Sequence, residues 1–80
     1  MLNIMSFIRK NEFYINIWKN KINIVNFDKI VILENNKVVI NAPDGKITIK
    51  GENLSINKLL EKEILLSGNI FSVELGDYSV

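Results

Sequence analysis

The sequence contains no cysteine and no histidine, and a single proline among its 80 residues. Without cysteine the chain can form neither a disulfide framework nor a thiolate metal site, and it suits a reducing compartment. Without histidine it lacks the commonest general base and the commonest metal ligand. We therefore expect a protein that is not an enzyme, with no catalytic residue, no cofactor and no metal.

Neither sign of charge dominates. Ten Lys and Arg stand against nine Asp and Glu, and the two signs are interspersed, so the chain lacks the basic footprint of a nucleic-acid-binding protein. A chain of this length forms one domain that buries roughly 60–65% of its unfolded surface. Small folds without disulfides or metals often gain stability by oligomerisation. These features favour a single domain that forms a homo-oligomer.

Residues 1–12 differ in pattern from the rest of the chain. Their apolar side chains fall on one helical face and are followed by Arg9 and Lys10. The run is shorter than the ~20 apolar residues that span a bilayer, and it lacks the cleavage site of a signal peptide. We predict an N-terminal helix or arm that caps an open end of a sheet. The alternative is a weak contact with a partner or a membrane surface.

From residue 13 to residue 75, short alternating apolar runs are separated by turn signals about every eight residues. Such spacing predicts an all-β domain of seven or eight short antiparallel strands in a meander, forming a sandwich or a small open barrel. Residues 76–80 are expected to be a frayed tail. The apolar run Ile30-Val31-Ile32-Leu33 suggests a strand covered on both faces. The turn candidates include Lys19-Asn20, Asn35-Asn36, Ala42-Pro43-Asp44-Gly45, and Gly68-Asn69.

The stretch from Lys46 to Ile56 contains two alternating runs separated by Gly51, and a similar unit around Gly68 follows 17 residues later. The alternative fold is therefore a β-solenoid with about 17 residues in each rung. Tight-turn residues favour hairpins instead. Gly45, Gly51 and Gly68 are predicted to be structural turn glycines, because glycine adopts the positive φ that a turn or bulge requires. None of them opens a helix that could bind a phosphate.

The clearest candidate for a partner contact is the set Tyr14, Asn16 and Trp18. These residues alternate with the isoleucines of the first run, so they share the opposite face of that strand. Trp and Tyr are frequent anchors of protein interfaces. Packing beneath the N-terminal segment is the other interpretation of this face.

Two further hypotheses about function start from side-chain chemistry. Aromatic residues near lysines raise the alternative of a small β-barrel that binds single-stranded nucleic acid. The residues concerned are Tyr14, Trp18, Phe27 and Phe71, with Lys19, Lys21 and Lys29. The carboxylates that an enzyme would recruit, Asp44, Glu52, Glu61 and Glu63, lie in or beside predicted turns, where acidic residues are common for solvation.

The run from Trp18 to Leu75 resembles the YabP/YqfC family of bacterial sporulation proteins. The resemblance rests on Asn26-Phe27, on Gly45 with Ile47 and Ile49, on the run Ile-Lys-Gly-Glu-Asn-Leu-Ser-Ile that ends at Ile56, and on a closing pattern of apolar residues around Gly68. That pattern comprises Leu59, Ile64, Leu66, Ile70 and Val73. The resemblance implies a cytoplasmic protein of the mother cell during endospore formation. It also implies an assembly or accessory role, through self-association or another sporulation protein, with no known catalytic residues.

Overall fold

The computed structural model describes residues 12–43 and 45–76, and these residues form six β-strands. The strands are β1 (Tyr14–Ile17), β2 (Lys21–Val25), β3 (Lys29–Leu33), β4 (Lys37–Ala42), β5 (Gly45–Leu59) and β6 (Glu63–Gly76). The helix or arm predicted for residues 1–12 lies outside this description apart from Glu12. The predicted tail lies outside it apart from Gly76, which ends β6.

All six strands belong to one open sheet in the order β1-β2-β6-β5-β4-β3, and every neighbouring pair is antiparallel. Strands β3 to β6 form a meander, and the β1–β2 hairpin joins the outer side of β6. The all-β antiparallel prediction is confirmed. The solenoid alternative is wrong, because the rungs of a β-helix pair in parallel.

The described chain has six strands rather than the predicted seven or eight, because neither glycine unit separates two strands. Gly51 lies inside β5, which has 15 residues, and Gly68 lies inside β6, which has 14 residues. The pairing register between these strands shifts beside Gly51 and again between Glu52 and Ser55. Each glycine is therefore part of an irregular bend in a long strand, and Gly68-Asn69 is not a hairpin turn.

The bends divide the sheet into two half-sheets. Half-sheet 1 contains β3, β4 and the paired residues 45–50 of β5 and 72–76 of β6. Half-sheet 2 contains β1, β2 and the paired residues 55–59 of β5 and 63–67 of β6. Strands β5 and β6 are the two elements that run through both half-sheets.

A short connection shows that the sheet curls back on itself. In the strand order β2 and β3 stand four positions apart, which is about 19 Å in a flat sheet. Residues 26–28 join them, and the four Cα steps from Val25 to Lys29 reach only about 14 Å. The two half-sheets must therefore approach each other, with Phe27, which is 4% exposed, buried in the connection.

The inner faces of both half-sheets build one hydrophobic core. Half-sheet 2 contributes Ile22, Ile24, Ile64 and Leu66, and half-sheet 1 contributes Val38, Ile40, Ala42, Ile47 and Ile49. Burying each large aliphatic side chain stabilises the fold by about 1.5–3 kcal/mol. The alternating pattern of β2 and of residues 45–50 of β5 is explained by one face turned to this core, whereas three consecutive residues of β4, Val38 to Ile40, are all buried.

Two-residue turns, each with a backbone hydrogen bond, close three of the four hairpins. The amide of Trp18 donates to the Lys21 carbonyl at 2.8 Å, and the amide of Glu34 donates to the Lys37 carbonyl at 2.9 Å. These bonds confirm the turns at Lys19-Asn20 and Asn35-Asn36. The amide of Leu60 donates to the Glu63 carbonyl at 2.8 Å and closes the β5–β6 hairpin.

Candidate partner-binding surface

The three side chains predicted to contact a partner are exposed at one edge of the sheet. Tyr14, Asn16 and Trp18 are all exposed, and Trp18 keeps 53% of its surface accessible. In the β1–β2 register Tyr14 lies opposite Val25 and Asn16 lies opposite Asn23. Within the described residues only β2 pairs with β1, so the other edge of β1 is open to a further strand.

Contacts on the inner face hold β1 in place. Ile15 lies opposite the buried Ile24 and packs against the core. Ile17 lies opposite the buried Ile22, although Ile17 itself is exposed near the hairpin turn. At the start of the strand, Asn26 Nδ2 donates to the Glu12 carbonyl at 2.7 Å. Strand β1 is therefore held at its start and along its inner face, with Tyr14 exposed on the strand and Trp18 exposed directly after it.

The surface beside Trp18 is concave. A depression of about 520 Å³ is lined by Trp18, the turn residues Lys19 to Lys21, and Leu65. Leu65 lies opposite Asn23 in the β2–β6 pair, which places it on the outer face of half-sheet 2. An aromatic residue, an aliphatic residue and two lysines thus line one depression.

An ion pair lies on the outer face of half-sheet 2. Lys58 Nζ is 3.2 Å from a carboxylate oxygen of Glu63. Hydrogen bonds from Lys58 and then from Asn23 hold the pKa of Glu63 below its ordinary value of 4.5. Within the described part of the chain, the Asn23 Oδ1 atom is buried without a hydrogen-bond partner. The Lys58–Glu63 ion pair links residues 55–59 of β5 to the start of β6.

The glycines at the two bends are each bonded to a hairpin turn. The Gly51 amide donates to the Asn36 carbonyl at 3.1 Å, and the Gly68 amide donates to the Asn20 carbonyl at 3.0 Å. The Leu54 amide donates to the Asn35 carbonyl at 2.8 Å, so the β3–β4 turn spans the β5 bend. Sequence reasoning missed these contacts, because turn carbonyls carry no residue-specific signal. Gly45, the third predicted glycine, lies buried at the start of β5.

The structure does not bring the other candidate groups together. Glu61 and Glu63 lie in and beside the β5–β6 turn, whereas Glu52 lies at the β5 bend, so a half-sheet's length separates Glu52 from the other two. Asp44 is outside the described residues. Lys19 and Lys21 flank one turn, whereas Lys29 begins β3 beyond the far end of β2. Among the described residues no group of three or more acidic side chains could hold a metal ion.

Sequence reasoning also missed a second exposed apolar region. The run Ile30 to Leu33 was expected to be covered on both faces, but β3 is an edge strand in which Val31 and Leu33 are exposed. A short apolar run looks the same in a buried strand and at an uncovered edge. Every large exposed hydrophobic residue of the described chain lies on or next to a segment with one unpaired edge. They are Tyr14, Ile17, Trp18, Val31, Leu33, Ile56, Leu59, Leu60, Phe71 and Leu75.

The fold and these surfaces define a small antiparallel β protein whose strand edges carry apolar side chains. The YabP family model matches residues 11–79, and the chain belongs to this family. Family membership indicates a sporulation-associated protein. Searches of curated proteins and of solved structures found no match. In the described chain no helix is long and apolar enough to cross a membrane.

Proposed function

We propose that this chain is a non-enzymatic assembly protein of endospore formation that acts by self-association through β1. The observation that carries the proposal is that, among residues 12–43 and 45–76, only β2 pairs with β1, while Tyr14 and Trp18 are exposed beside the other edge. An unpaired strand edge is a template for pairing with another chain. Exposed Trp and Tyr supply the large contact area typical of interface anchors.

The side chains of β1 and Trp18 favour contact with another chain over exposure to water. Residues 14–18, Tyr-Ile-Asn-Ile-Trp, contain no charged side chain. Edge strands that remain unpaired are commonly protected by charges, proline or a bulge, and the β1–β2 register is regular. A partner that covers β1 would remove the apolar surface of Trp18 and Ile17 from water. This burial would add to the stability that the small hydrophobic core provides.

The cellular setting belongs to the same proposal. We place the protein in the mother-cell cytoplasm of a sporulating bacterium, where it assembles with itself or docks another sporulation protein. A weak membrane-surface contact through residues 1–12 stays a separate prediction. Liposome flotation of the full chain, compared with a chain that begins at Asn11, tests that prediction.

Light scattering coupled to size exclusion tests self-association. The full chain should show a mass that rises above one chain with concentration, and Trp18→Ala should shift the protein towards the monomer. Phe71→Ala is the matched control, because Phe71 is 61% exposed but lies on β6. A wild-type chain that stays monomeric at high concentration would contradict the proposal.

Single-stranded nucleic-acid binding is the second candidate, and the paired lysines beside Trp18 are the feature that favours it. Such binding weakens steeply as salt increases. A mobility-shift assay with single-stranded RNA and DNA at low salt should then show retention that salt abolishes. Absence of a shift at low salt would remove this candidate.

A further inference from the structure

A groove separates β3 from residues 55–59 of β5. It has a volume of about 260 Å³, and its apolar lining comprises Leu33, Val38, Leu54, Ile56 and Leu66. Val38, Leu54 and Leu66 are buried, whereas Leu33 and Ile56 are exposed on the rim. The volume lies below the roughly 300–1,000 Å³ of small-molecule pockets. A groove of this size suits inserted side chains.

Both walls of the groove are strand segments with an unpaired edge in the described chain. β3 pairs only with β4, and residues 55–59 of β5 pair only with β6. The register of β3 shifts between Ile30 and Ile32, and that of β5 shifts between Ile56 and Lys58. These irregularities limit a long backbone ladder. Apolar side chains therefore dominate what the groove offers to a partner.

The charged residue that lines the groove, Glu34, has the opposite sign to Lys19 and Lys21, which line the depression beside Trp18. Glu34 lines the groove, and Glu52 lies two residues before Leu54 at the same bend. Lys19 and Lys21 flank the turn that follows Trp18. All four charged side chains are exposed. Opposite charges across an interface set its orientation and exclude mismatched arrangements.

We propose that β1 of one copy docks into this groove of a second copy, with Ile17 and Trp18 against Leu33 and Ile56. The Lys19–Lys21 turn then faces Glu34 and Glu52. The inference rests on the proposed self-association and specifies its geometry. Because the two contacting patches differ, the interface is heterologous, and each bound pair leaves one free β1 and one free groove for further copies. Assembly is head to tail, into a chain or a ring.

Complementary variants test this geometry. Trp18→Ala damages β1 and leaves the groove intact, whereas Leu33→Lys damages the groove and leaves β1 intact. Each variant alone should be monomeric by sedimentation velocity, and an equimolar mixture should form a one-to-one dimer that grows no further. Val31→Lys is the matched control, because Val31 is 48% exposed on β3, close to the 45% of Leu33, but does not line the groove. It should associate like the wild type.

The outcomes separate this inference from the function on which it rests. If Leu33→Lys associates like the wild type while Trp18→Ala is monomeric, the groove is not the acceptor and self-association through β1 stands. If the mixed variants remain monomeric, the head-to-tail geometry is wrong. A monomeric wild type overturns both proposals. Circular dichroism melts of every variant establish that loss of association is not loss of folding.

Discussion

A Cβ atom built at Gly51 would lie 2.2 Å from the backbone carbonyl oxygen of Asn69. The two long strands therefore approach each other more closely at their bends than any side chain allows. At Gly68 the equivalent atom would lie 2.7 Å from the Asn53 carbonyl oxygen. Each bend thus depends on a glycine that faces the backbone of the other strand.

Gly51→Ala should destabilise the fold by about 1–3 kcal/mol or more, because overpacking against backbone cannot be relieved by a rotamer change. Urea unfolding followed by tryptophan fluorescence measures the change in free energy. Gly76→Ala is the control, since a Cβ there has no neighbour within 4 Å. Equal stability of the two variants would contradict the close approach.

Gly68→Ala should be destabilising for two reasons. Besides the contact with Asn53, Gly68 has a φ of 140°, a conformation that costs a side-chain-bearing residue about 1–3 kcal/mol. Thermal and urea unfolding should both show the loss. A variant as stable as the wild type would mean that the β6 bend can relax into ordinary strand geometry.

Phe27→Ala should lower the free energy of unfolding by about 3–5 kcal/mol, because it removes a buried aromatic ring from the connection that closes the curled sheet. Phe71→Ala removes the same number of atoms from an exposed position and should cost far less. Parallel urea titrations compare the two variants. Similar losses would place Phe27 outside the core.

The lowered pKa of Glu63 makes the fold sensitive to acid. A carboxyl group with a depressed pKa contributes stability above its unfolded pKa, and this stability is lost as the pH falls through the folded value. Lys58→Met removes the largest cause of the shift and should raise the pKa of Glu63 towards 4.5. Carbon-detected NMR titration of the Glu63 carboxyl group measures this directly. An unchanged titration midpoint would show that Lys58 does not hold the carboxylate.

Much of the strand content followed from local pattern. The alternation in β2 and in residues 45–50 of β5 reports one face turned to the core, and the two-residue turns at Lys19-Asn20 and Asn35-Asn36 could be predicted from residue type. The number of strands could not be predicted from the local pattern. Gly51 and Gly68 resemble strand breaks in the sequence, but long-range pairing carries β5 and β6 through both positions. Local signals cannot distinguish a bend in a paired strand from its end.

The fold class and the family could be predicted from the residue pattern alone, because alternating apolar residues and turn residues are local properties. The pattern also placed Tyr14, Asn16 and Trp18 on one strand face. Which strands lie at the edges of the sheet could not be predicted in this way and is seen only in the strand order. That order depends on the pairing of β2 with β6, whose residues are about forty positions apart. The groove beside Leu33 and the exposure of β3 are consequences of that pairing.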